Sequence, residues 1–316
     1  MTTTLRNLMT GLVDYAGLFP PAALEAERAV AEYAAHRADG AAWMLGRFIV
    51  PAARLTEINA AMVGVKPAAS IWPFTALVGA PADQDTARAA VPTQGLAIAA
   101  FEKAGEGRTP VEALETPIPV SAARDHPAAF IDRLTGDLAA AGLGGRELFW
   151  ETPAHGDDAA VVAAVADLDR AGSPLARVGV KLRCGGVTAE AFPDCERIAQ
   201  VVGLCRDHGV PLKCTAGLHH PLRHRSTDPD VMMHGFLNVF GAGLLAWGLA
   251  APAEVLLACI AETEASAFRI SDEAFAWRGH EVQSHLVADI RRRWLGGFGS
   301  CSFTEPRDDL LNLGLL

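Results

Sequence analysis

The sequence predicts one α/β domain over residues 1–316, folded as a single (β/α)8 barrel. Short β-like runs alternate with helical stretches, the alternation occurs eight times in 316 residues, and no Gly/Ser-rich linker divides the chain. Strands that alternate with helices of ten or more residues pair in parallel through right-handed crossovers. Eight such units in a chain of this length are typical of a closed barrel rather than an open, doubly wound sheet.

The elements follow from apolar runs that end at Gly, Pro or a polar residue. The predicted strands cover residues 12–15, 44–50, 71–78, 96–101, 147–150, 177–182, 211–214 and 298–302. The predicted helices cover residues 22–37, 52–62, 82–90, 157–171, 189–208 and 306–311. A hairpin or loop is expected around residues 118–120. Residues 230–285 exceed what one crossover needs, so we expect them to be a helical addition after the seventh strand.

Composition excludes several classes of protein. The 27 basic residues are outnumbered by 37 acidic ones, which gives a net charge of −10 with histidine neutral. A nucleic-acid partner normally requires a basic surface that displaces phosphate counterions, so we expect none. Half of the residues are hydrophobic and 20% are charged, which is too apolar for a disordered chain and sufficient for a large core.

The cysteines and the first residues indicate a reducing compartment. The six cysteines form no C-x-x-C pair and are too sparse for a disulfide framework. The N-terminal residues lack a basic region followed by an apolar one, so no secretory signal is predicted. We therefore expect reduced thiols and a cytoplasmic location.

One apolar stretch, residues 235–252, approaches the length of a membrane span. Asn238 and repeated glycines dilute it, and Glu254 follows at once. Because a span requires about 20 consecutive apolar residues, we predict a buried helix and no membrane partner. Residues 236–249 would suit a contact with a second copy, so a homodimer is one expected partner state.

Alternation along three predicted strands directs charged side chains into the barrel. In a barrel strand, alternate residues face the interior, and active sites lie at the carboxyl ends of the strands. In the sixth strand this places Lys181 and Arg183 inward, and in the seventh Lys213 and Thr215. The same alternation turns Glu151, at the end of the fifth strand, inward. The pattern predicts a carboxylate beside two ammonium groups.

The scarcity of lysine supports a special role for these two residues. Of the 27 basic residues, 23 are arginine, and the lysines are Lys66, Lys103, Lys181 and Lys213. Lysine differs from arginine in that it can lose a proton to become a nucleophilic amine. Two neighbouring amines in a dry pocket would lower each other's pKa, which favours Schiff-base chemistry. A substrate-anchoring cation and a structural ion pair are the alternatives.

Five short motifs, in order along the chain, resemble those of a known family. They are VDYAGL at 13–18, RFIVP at 47–51, KLRCGG at 181–186, KCTAG at 213–217 and FGSCS at 298–302. This order resembles that of the class I deoxyribose-phosphate aldolases. The resemblance implies that Lys181 forms the Schiff base and that Lys213 tunes it. It also implies a phosphate or other anion near Gly217, Gly299 and Ser300.

The resemblance has two departures. Arg183 stands where the family has a small hydroxyl residue, and the fourth-strand aspartate of the family has no clear counterpart, Glu102 being the nearest candidate.

Two further residues are candidates on chemistry alone. Asp14, at the end of the first strand, could assist proton transfer or serve as a structural carboxylate. Arg47, on the second strand, could clamp an anionic group of the substrate or pair with Glu151.

A histidine-rich loop after the seventh strand offers a different chemistry. The segment AGLHHPLRHR contains His219, His220, Arg223 and His224. Three imidazoles could bind Zn²⁺ or another divalent ion together with a carboxylate, although the spacing matches no strong metal signature. Recognition of an anionic substrate fits the same loop without a metal, because arginine and histidine donate charge-assisted hydrogen bonds.

The sequence therefore predicts a lyase that forms a lysine Schiff base with a small anionic carbonyl compound, phosphorylated compounds included. It needs no cofactor. The predicted catalytic residues are Lys181, Lys213, Glu151 and Asp14, and the predicted substrate-binding residues are Arg47, Arg183, Thr215, Gly217, His219, His220, Arg223, His224, Gly299 and Ser300. Two alternatives remain: a metal-dependent isomerase or hydrolase that uses the histidine loop, and a non-catalytic barrel that binds an anion.

Overall fold

The computed structural model describes residues 1–65, 70–80 and 82–316. Lys66, one of the four lysines, lies outside the described residues. The strands of the described part are Val13–Tyr15 (β1), Leu45–Pro51 (β2), Phe74–Leu77 (β3), Val111–Pro117 (β4), Glu147–Glu151 (β5), Arg177–Arg183 (β6), Leu212–Thr215 (β7), His224–Thr227 (β8), Asp230–Met233 (β9), Phe268–Ile270 (β10), Ala274–Trp277 (β11), His280–Gln283 (β12) and Leu295–Ser300 (β13).

The helices of the described part alternate with these strands. They are Thr3–Met9 (α1), Ala26–Arg37 (α2), Leu55–Met62 (α3), Gln84–Gly105 (α4), Val120–Asp125 (α5), Pro127–Ala140 (α6), Asp158–Arg170 (α7), Cys195–His208 (α8), Phe236–Leu249 (α9), Ala253–Ala261 (α10), Ser284–Arg293 (α11) and Thr304–Asn312 (α12). Short 3₁₀ turns cover Ala42–Met44, Ala52–Arg54, Ala189–Ala191 and Ala265–Ala267.

Eight parallel strands close into a barrel in the order β1-β13-β7-β6-β5-β4-β3-β2. The predicted α/β barrel is therefore confirmed, and helices α9 and α10 follow β7 as additional elements. The chain forms two compact units. One contains Tyr15–Ala42 and Arg47–Lys181, and the other contains Met1–Asp14, Trp43–Gly46 and Leu182–Leu316. We call them the β2–β6 unit and the β7–β13 unit.

The β2–β6 unit holds its strands in parallel register. Adjacent strands pair in sequence order, so that Glu115 of β4 lies opposite Phe149 of β5, and Glu151 of β5 lies opposite Lys181 of β6. A cluster of aromatic rings fills the region beside β2 and β3, with Tyr33 in contact with both Phe48 and Trp72. Such large buried rings contribute strongly to the core.

The fourth strand differs from the prediction. Residues 96–101 lie inside the long helix α4, and the fourth barrel strand is β4. The buried residues of α4 include Val91, Ile98 and Phe101, which recur at helical spacing, and Asp83 caps the helix by accepting the Thr86 N–H. A six-residue apolar run cannot distinguish such a helix from a strand. The carboxylates within VEALETP interrupt the apolar run of β4, so the sequence pattern did not indicate a strand there.

The segment 230–285 contains strands as well as helices. Strands β10, β11 and β12 form an antiparallel sheet, and β8 pairs with β9. The tight turn between β11 and β12 consists of Arg278 and Gly279, both with positive φ, because Trp277 pairs directly with His280. Two-residue turns of this kind match the twist of a hairpin. The prediction of a purely helical addition missed these short strands.

Helix α9 explains the long apolar stretch. Its residues from Phe236 to Ala246 are buried, and it packs against α8, α10 and α11 within the β7–β13 unit. The homodimer remains a prediction. None of the helices in the described part combines the length and the apolar character needed to cross a membrane.

Candidate active site

The first candidate cluster surrounds Lys181 in the β2–β6 unit. The side chain is only 3% exposed. Its Nζ lies 2.5 Å from Oε2 of Glu115 and 2.7 Å from Oε2 of Glu151. Strand alternation predicted that Lys181 and Glu151 point inward, and the structure places them side by side on neighbouring strands. Two carboxylates against one ammonium give this cluster a formal charge of −1.

Glu115 was missed by the sequence analysis because β4 was misplaced. It is 1% exposed and lies on the fourth barrel strand, where the family resemblance implies a carboxylate. Glu102, the substitute candidate, instead lies on α4, accepts the backbone N–H of Val111 and pairs with Arg146. It ties the helix to the start of β4 and takes no part in the lysine cluster. The alternation of residues along VEALETP was the sequence signal that could have identified Glu115 as a residue of a barrel strand.

The pKa of Lys181 departs from the sequence-based expectation. Burial disfavours the ammonium and so lowers the pKa, but attraction and hydrogen bonds from Glu115 and Glu151 outweigh burial. The net direction is upward from the ordinary value. The expectation of a lowered pKa assumed that a second amine was the dominant neighbour. In this state Lys181 is an ammonium, and it must transfer a proton before it can act as a nucleophile.

The second cluster is an ion pair in the β7–β13 unit. Lys213 is 1% exposed, and its Nζ donates a hydrogen bond to Oδ2 of Asp14, which is 4% exposed. Gly46 makes room for this pair, since a Cβ at that position would collide with the Asp14 carboxylate. Both residues were predicted to be catalytic, and the structure brings them together. Charges buried to this extent require a partner.

The loop after β7 approaches the segment after β6 closely. The carbonyl of Thr215 accepts the Cys184 N–H at 2.8 Å, and the Ala216 N–H donates to Gly299 O at 3.2 Å. Gly217 has φ +67°, and a Cβ there would lie 2.7 Å from Cys184 O, so only glycine fits. Thr215 and Gly299 are also direct partners in the β7–β13 register.

Other predicted binding residues are placed less favourably. Arg183 ends β6 and is exposed rather than directed into the barrel interior. The Ser300 hydroxyl donates to Ser302 O at 2.6 Å, within its own turn. Arg183 is the last residue of β6 and the exposed one in this strand. Ser300 and Gly299 remain predictions for anion binding.

The histidine loop is held by helix α12. Nδ1 of His219 lies 2.8 Å from Glu305 Oε2, and Nδ1 of His220 lies 2.6 Å from Asp309 Oδ2. The two carboxylates are four residues apart and so share one face of the helix. His224 instead has its Nδ1 3.0 Å from Leu222 O.

This arrangement does not favour the metal alternative. Within the described part of the chain, no group of three or more His, Cys, Asp and Glu side chains is arranged to hold a metal ion. The imidazoles of His219 and His220 each face a different carboxylate on α12. Adjacent residues of a chain rarely direct both side chains at one ion, and here they do not.

Arg223 retains a donor that could recognise an anion. Its Nη1 is buried and has no hydrogen-bond partner among the described residues. Its backbone N–H donates to Oδ1 of Asn238 at 2.8 Å. Asn238 is fully buried on α9, and its Nδ2 donates to the carbonyls of Cys259 and Glu262. Sequence analysis treated Asn238 only as a polar interruption, whereas it fixes the backbone of the histidine loop.

Arg47 lies at the opposite end of the strands from Lys181. It pairs with Glu112 at 3.0 Å and with Glu147 at 2.8 Å, near the amino ends of β4 and β5. Glu147 and Glu151 are four residues apart on β5, which corresponds to about 13 Å along a strand. The predicted substrate clamp, and its alternative pairing with Glu151, are therefore both replaced by a structural pairing at the other end.

Arg47→Met should lower the free energy of unfolding by about 1–2 kcal/mol, because a partly buried charged hydrogen bond to Glu147 and an exposed one to Glu112 are lost. Urea unfolding measures this change. The yield of covalent carbonyl adduct on the lysines, described below, should be unchanged within error. If Arg47→Met instead kept full stability but lost the adduct, Arg47 would be a substrate-binding residue, as the sequence predicted.

No family model matches the sequence, and no curated protein matches it. Among solved structures, the chain is similar to a protein from Toxoplasma gondii ME49 that is provisionally assigned as a deoxyribose-phosphate aldolase. The similarity covers 98% of this chain and 94% of that chain, at 12% identity and a TM-score of 0.48. At this identity and TM-score the likeness does not assign an activity.

Proposed function

We propose that the chain is an aldolase-like lyase in which Lys181 forms a Schiff base with a small anionic carbonyl compound. The observation that carries this proposal is the burial of the Lys181 amine between Glu115 and Glu151 inside a barrel. A buried lysine flanked by two carboxylates has both a nucleophile and the groups that exchange its proton. Lysine is also used sparingly in this arginine-rich chain.

The carboxylates provide a route for the proton. Glu151 has 16% of its side chain exposed, whereas Glu115 has 1%. Glu151 accepts the ammonium proton, and the neutral amine of Lys181 attacks the carbonyl carbon of the substrate. The resulting carbinolamine loses its hydroxyl as water when Glu151 returns the proton. Glu151 thus acts as general base and then as general acid.

The charge of the cluster favours the product of this sequence. The iminium carries the same positive charge as the ammonium it replaces, and both carboxylates are again ionised beside it. The attraction that raises the pKa of Lys181 therefore also stabilises the iminium. Glu151 then takes the proton of the substrate's β-hydroxyl while the bond between the α and β carbons breaks and its electron pair moves to the iminium, which yields an enamine and a second carbonyl compound.

The β7–β13 unit carries polar groups that suit an anion. Arg223 carries a buried Nη1 without a partner among the described residues, and such a group gains much from a phosphate or carboxylate oxygen. Lys213, paired with Asp14, is a second buried amine in the β7–β13 unit. The chemistry requires no cofactor, since the lysine itself provides the electron sink.

Reductive trapping tests the proposal. The protein is incubated separately with acetaldehyde, pyruvate and dihydroxyacetone phosphate in the presence of sodium cyanoborohydride, and then digested with trypsin. Because an alkylated lysine is no longer cleaved, an adduct on Lys181 appears in peptide 178–183 and one on Lys213 in peptide 207–223. We expect the adduct on Lys181 with at least one probe.

Lys103 is the internal control for this experiment, because it is an exposed lysine on α4. Adduct on Lys103 at the same rate as on Lys181 would indicate unspecific chemistry. Thermal stabilisation by dihydroxyacetone phosphate without any adduct on Lys181 or Lys213 would instead favour the anion-binding alternative. The raised pKa of Lys181 supports that alternative, because it keeps the side chain an ammonium that can pair with an anion.

A further inference from the structure

Three side chains outside the lysine clusters form a relay in the β7–β13 unit. Nε2 of His219 lies 3.8 Å from Sγ of Cys301, and Nδ1 of the same ring lies 2.8 Å from Oε2 of Glu305. The imidazole thus has a thiol at one nitrogen and a carboxylate at the other. A nucleophile, a base and a group that orients the base occur in this order in enzymes that transfer acyl groups.

Neighbouring elements hold the three groups in place. Thr215 and Gly299 are register partners, so the loop after β7 and the loop after β13 begin side by side. Glu305 lies in the first turn of α12, and its N–H donates to Oγ of Ser302 at 3.2 Å. Cys301 lies between the end of β13 and this helix start. The cluster is therefore positioned by strand ends and a short connection.

Electrostatics favour a protonated imidazole. Burial lowers the pKa of His219, but hydrogen bonds and attraction from Cys301 and Glu305 outweigh burial and raise it to about 9. The hydrogen bond from His219 in turn holds the pKa of Glu305 below its ordinary value. Near neutral pH the imidazole is therefore protonated. Because its pKa in the folded state exceeds 6.5, this protonation favours folding below about pH 6.5, and the contribution is lost as pH rises through about 9.

Cys301 differs from the other cysteines. All six lie in the described part of the chain, and the other five are buried. The thiols of Cys195 and Cys259 illustrate the difference, because burial raises the pKa of each. A structural cysteine behaves in this way as a small apolar side chain. Cys301 is partly exposed and is the cysteine that faces an imidazole.

We propose that Cys301 is a second nucleophile of this chain, with His219 as its acid–base partner and Glu305 as a positioning residue, and that it accepts an acyl group from an activated ester. The thiolate attacks the acyl carbon, and the carbon–oxygen bond to the leaving group breaks. The leaving oxygen takes the proton from the His219 imidazolium. The products are a thioester on Cys301, a neutral imidazole and the free alcohol.

After acylation, His219 can assist the hydrolysis of the thioester on Cys301. Once Cys301 is a thioester, His219 loses the hydrogen bond with the Cys301 sulfur that helps to keep the imidazole protonated. The neutral imidazole, still held by Glu305, accepts a proton from water as that water attacks the thioester carbon. The carboxylic acid is released and the thiolate–imidazolium pair is restored. No oxidant, reductant or metal enters this cycle.

A burst experiment tests the proposal. The full chain is mixed with p-nitrophenyl acetate at pH 7, and p-nitrophenolate release is followed together with mass analysis of tryptic peptide 294–307, which contains Cys301. We expect about one equivalent of rapid release and an acetyl group on this peptide. No aldehyde or ketone is present, so no Schiff base can form; failure here therefore leaves the lyase proposal standing, and the reverse also holds.

His219→Gln separates an activated thiol from a merely exposed one. An unassisted thiol is only a few per cent ionised at pH 7, so we expect the rate of Cys301 alkylation by iodoacetamide to fall about 10- to 30-fold. At pH 10 the variant and the wild type should react alike. Glu305→Gln should give a smaller loss, and His285→Gln, an exposed histidine on α11, should give none.

Two results would overturn the proposal. One is the absence of acetyl on Cys301 in the wild type. The other is an alkylation rate at pH 7 that is the same in the wild type, His219→Gln and Glu305→Gln, because a partly exposed thiol would explain that result without a relay. Circular dichroism checks that each variant is folded, and if His219→Gln does not fold, Glu305→Gln decides on the same readouts.

Discussion

Lys181→Met is expected to abolish reductive trapping at position 181 and to lower turnover of the carbonyl substrate on the order of 10⁴-fold or more, as when other enzymes lose their covalent nucleophile. Methionine keeps the length and much of the apolar volume of the side chain but cannot form an iminium. The variant is measured by trapping with the probe that labels the wild type and by steady-state kinetics with the substrate found from it.

Lys181→Arg is the matched comparison. The guanidinium keeps a positive charge beside Glu115 and Glu151, yet it does not lose its proton at accessible pH. We therefore expect a folded protein that does not form the adduct, which separates nucleophilicity from charge. Lys103→Arg on the exposed face of α4 should behave as the wild type. Full turnover in Lys181→Met would end the Schiff-base proposal.

Asn238→Ala is expected to lower the free energy of unfolding by about 3–5 kcal/mol, because each buried backbone group left unpaired costs about 1–3 kcal/mol. The side chain of Asn238 is fully buried and serves three backbone groups: the carbonyls of Cys259 and Glu262 and the N–H of Arg223. Urea unfolding followed by circular dichroism measures the loss.

The same substitution should also affect the histidine loop. Arg223 follows His219 by four residues, and its backbone is fastened to α9 through Asn238. We expect slower alkylation of Cys301 in Asn238→Ala even under conditions where the variant is folded. Asn312→Ala, at an exposed position near the end of α12, is the control and should change stability by less than about 0.5 kcal/mol. A loss below about 1 kcal/mol in Asn238→Ala would show that other groups satisfy these backbone atoms.

The barrel was predictable because periodicity is a local property. Runs such as RVGVKL alternate apolar residues with Gly and Lys, and this alternation predicted that Lys181 points to the inside. Glu151 was assigned to the interior by the same rule. Both assignments depend only on the residues next to each position, and the register of β5 with β6 then made them neighbours.

The fourth strand could not be predicted from its own residues. LAIAAF has the composition of a strand, but it lies in a helix because the buried face of α4 runs over many turns and its N-terminus is capped by Asp83. In β4 the charged residues Glu112 and Glu115 reduced the apolar signal, although their carboxylates have partners in Arg47 and Lys181. Those partners lie 65 and 66 residues away in sequence.

The sequence by itself determined the class of fold and the chemical types available in the interior: scarce lysines, inward carboxylates and a histidine loop. Only the tertiary structure decided which charges meet. It paired Lys181 with Glu115 as well as Glu151, Arg47 with Glu147 at the other end of the strands, and His219 with Glu305 and Cys301. The physical reason is that side-chain direction follows from local backbone period, whereas ion pairing depends on strand register and on segments far apart in the chain.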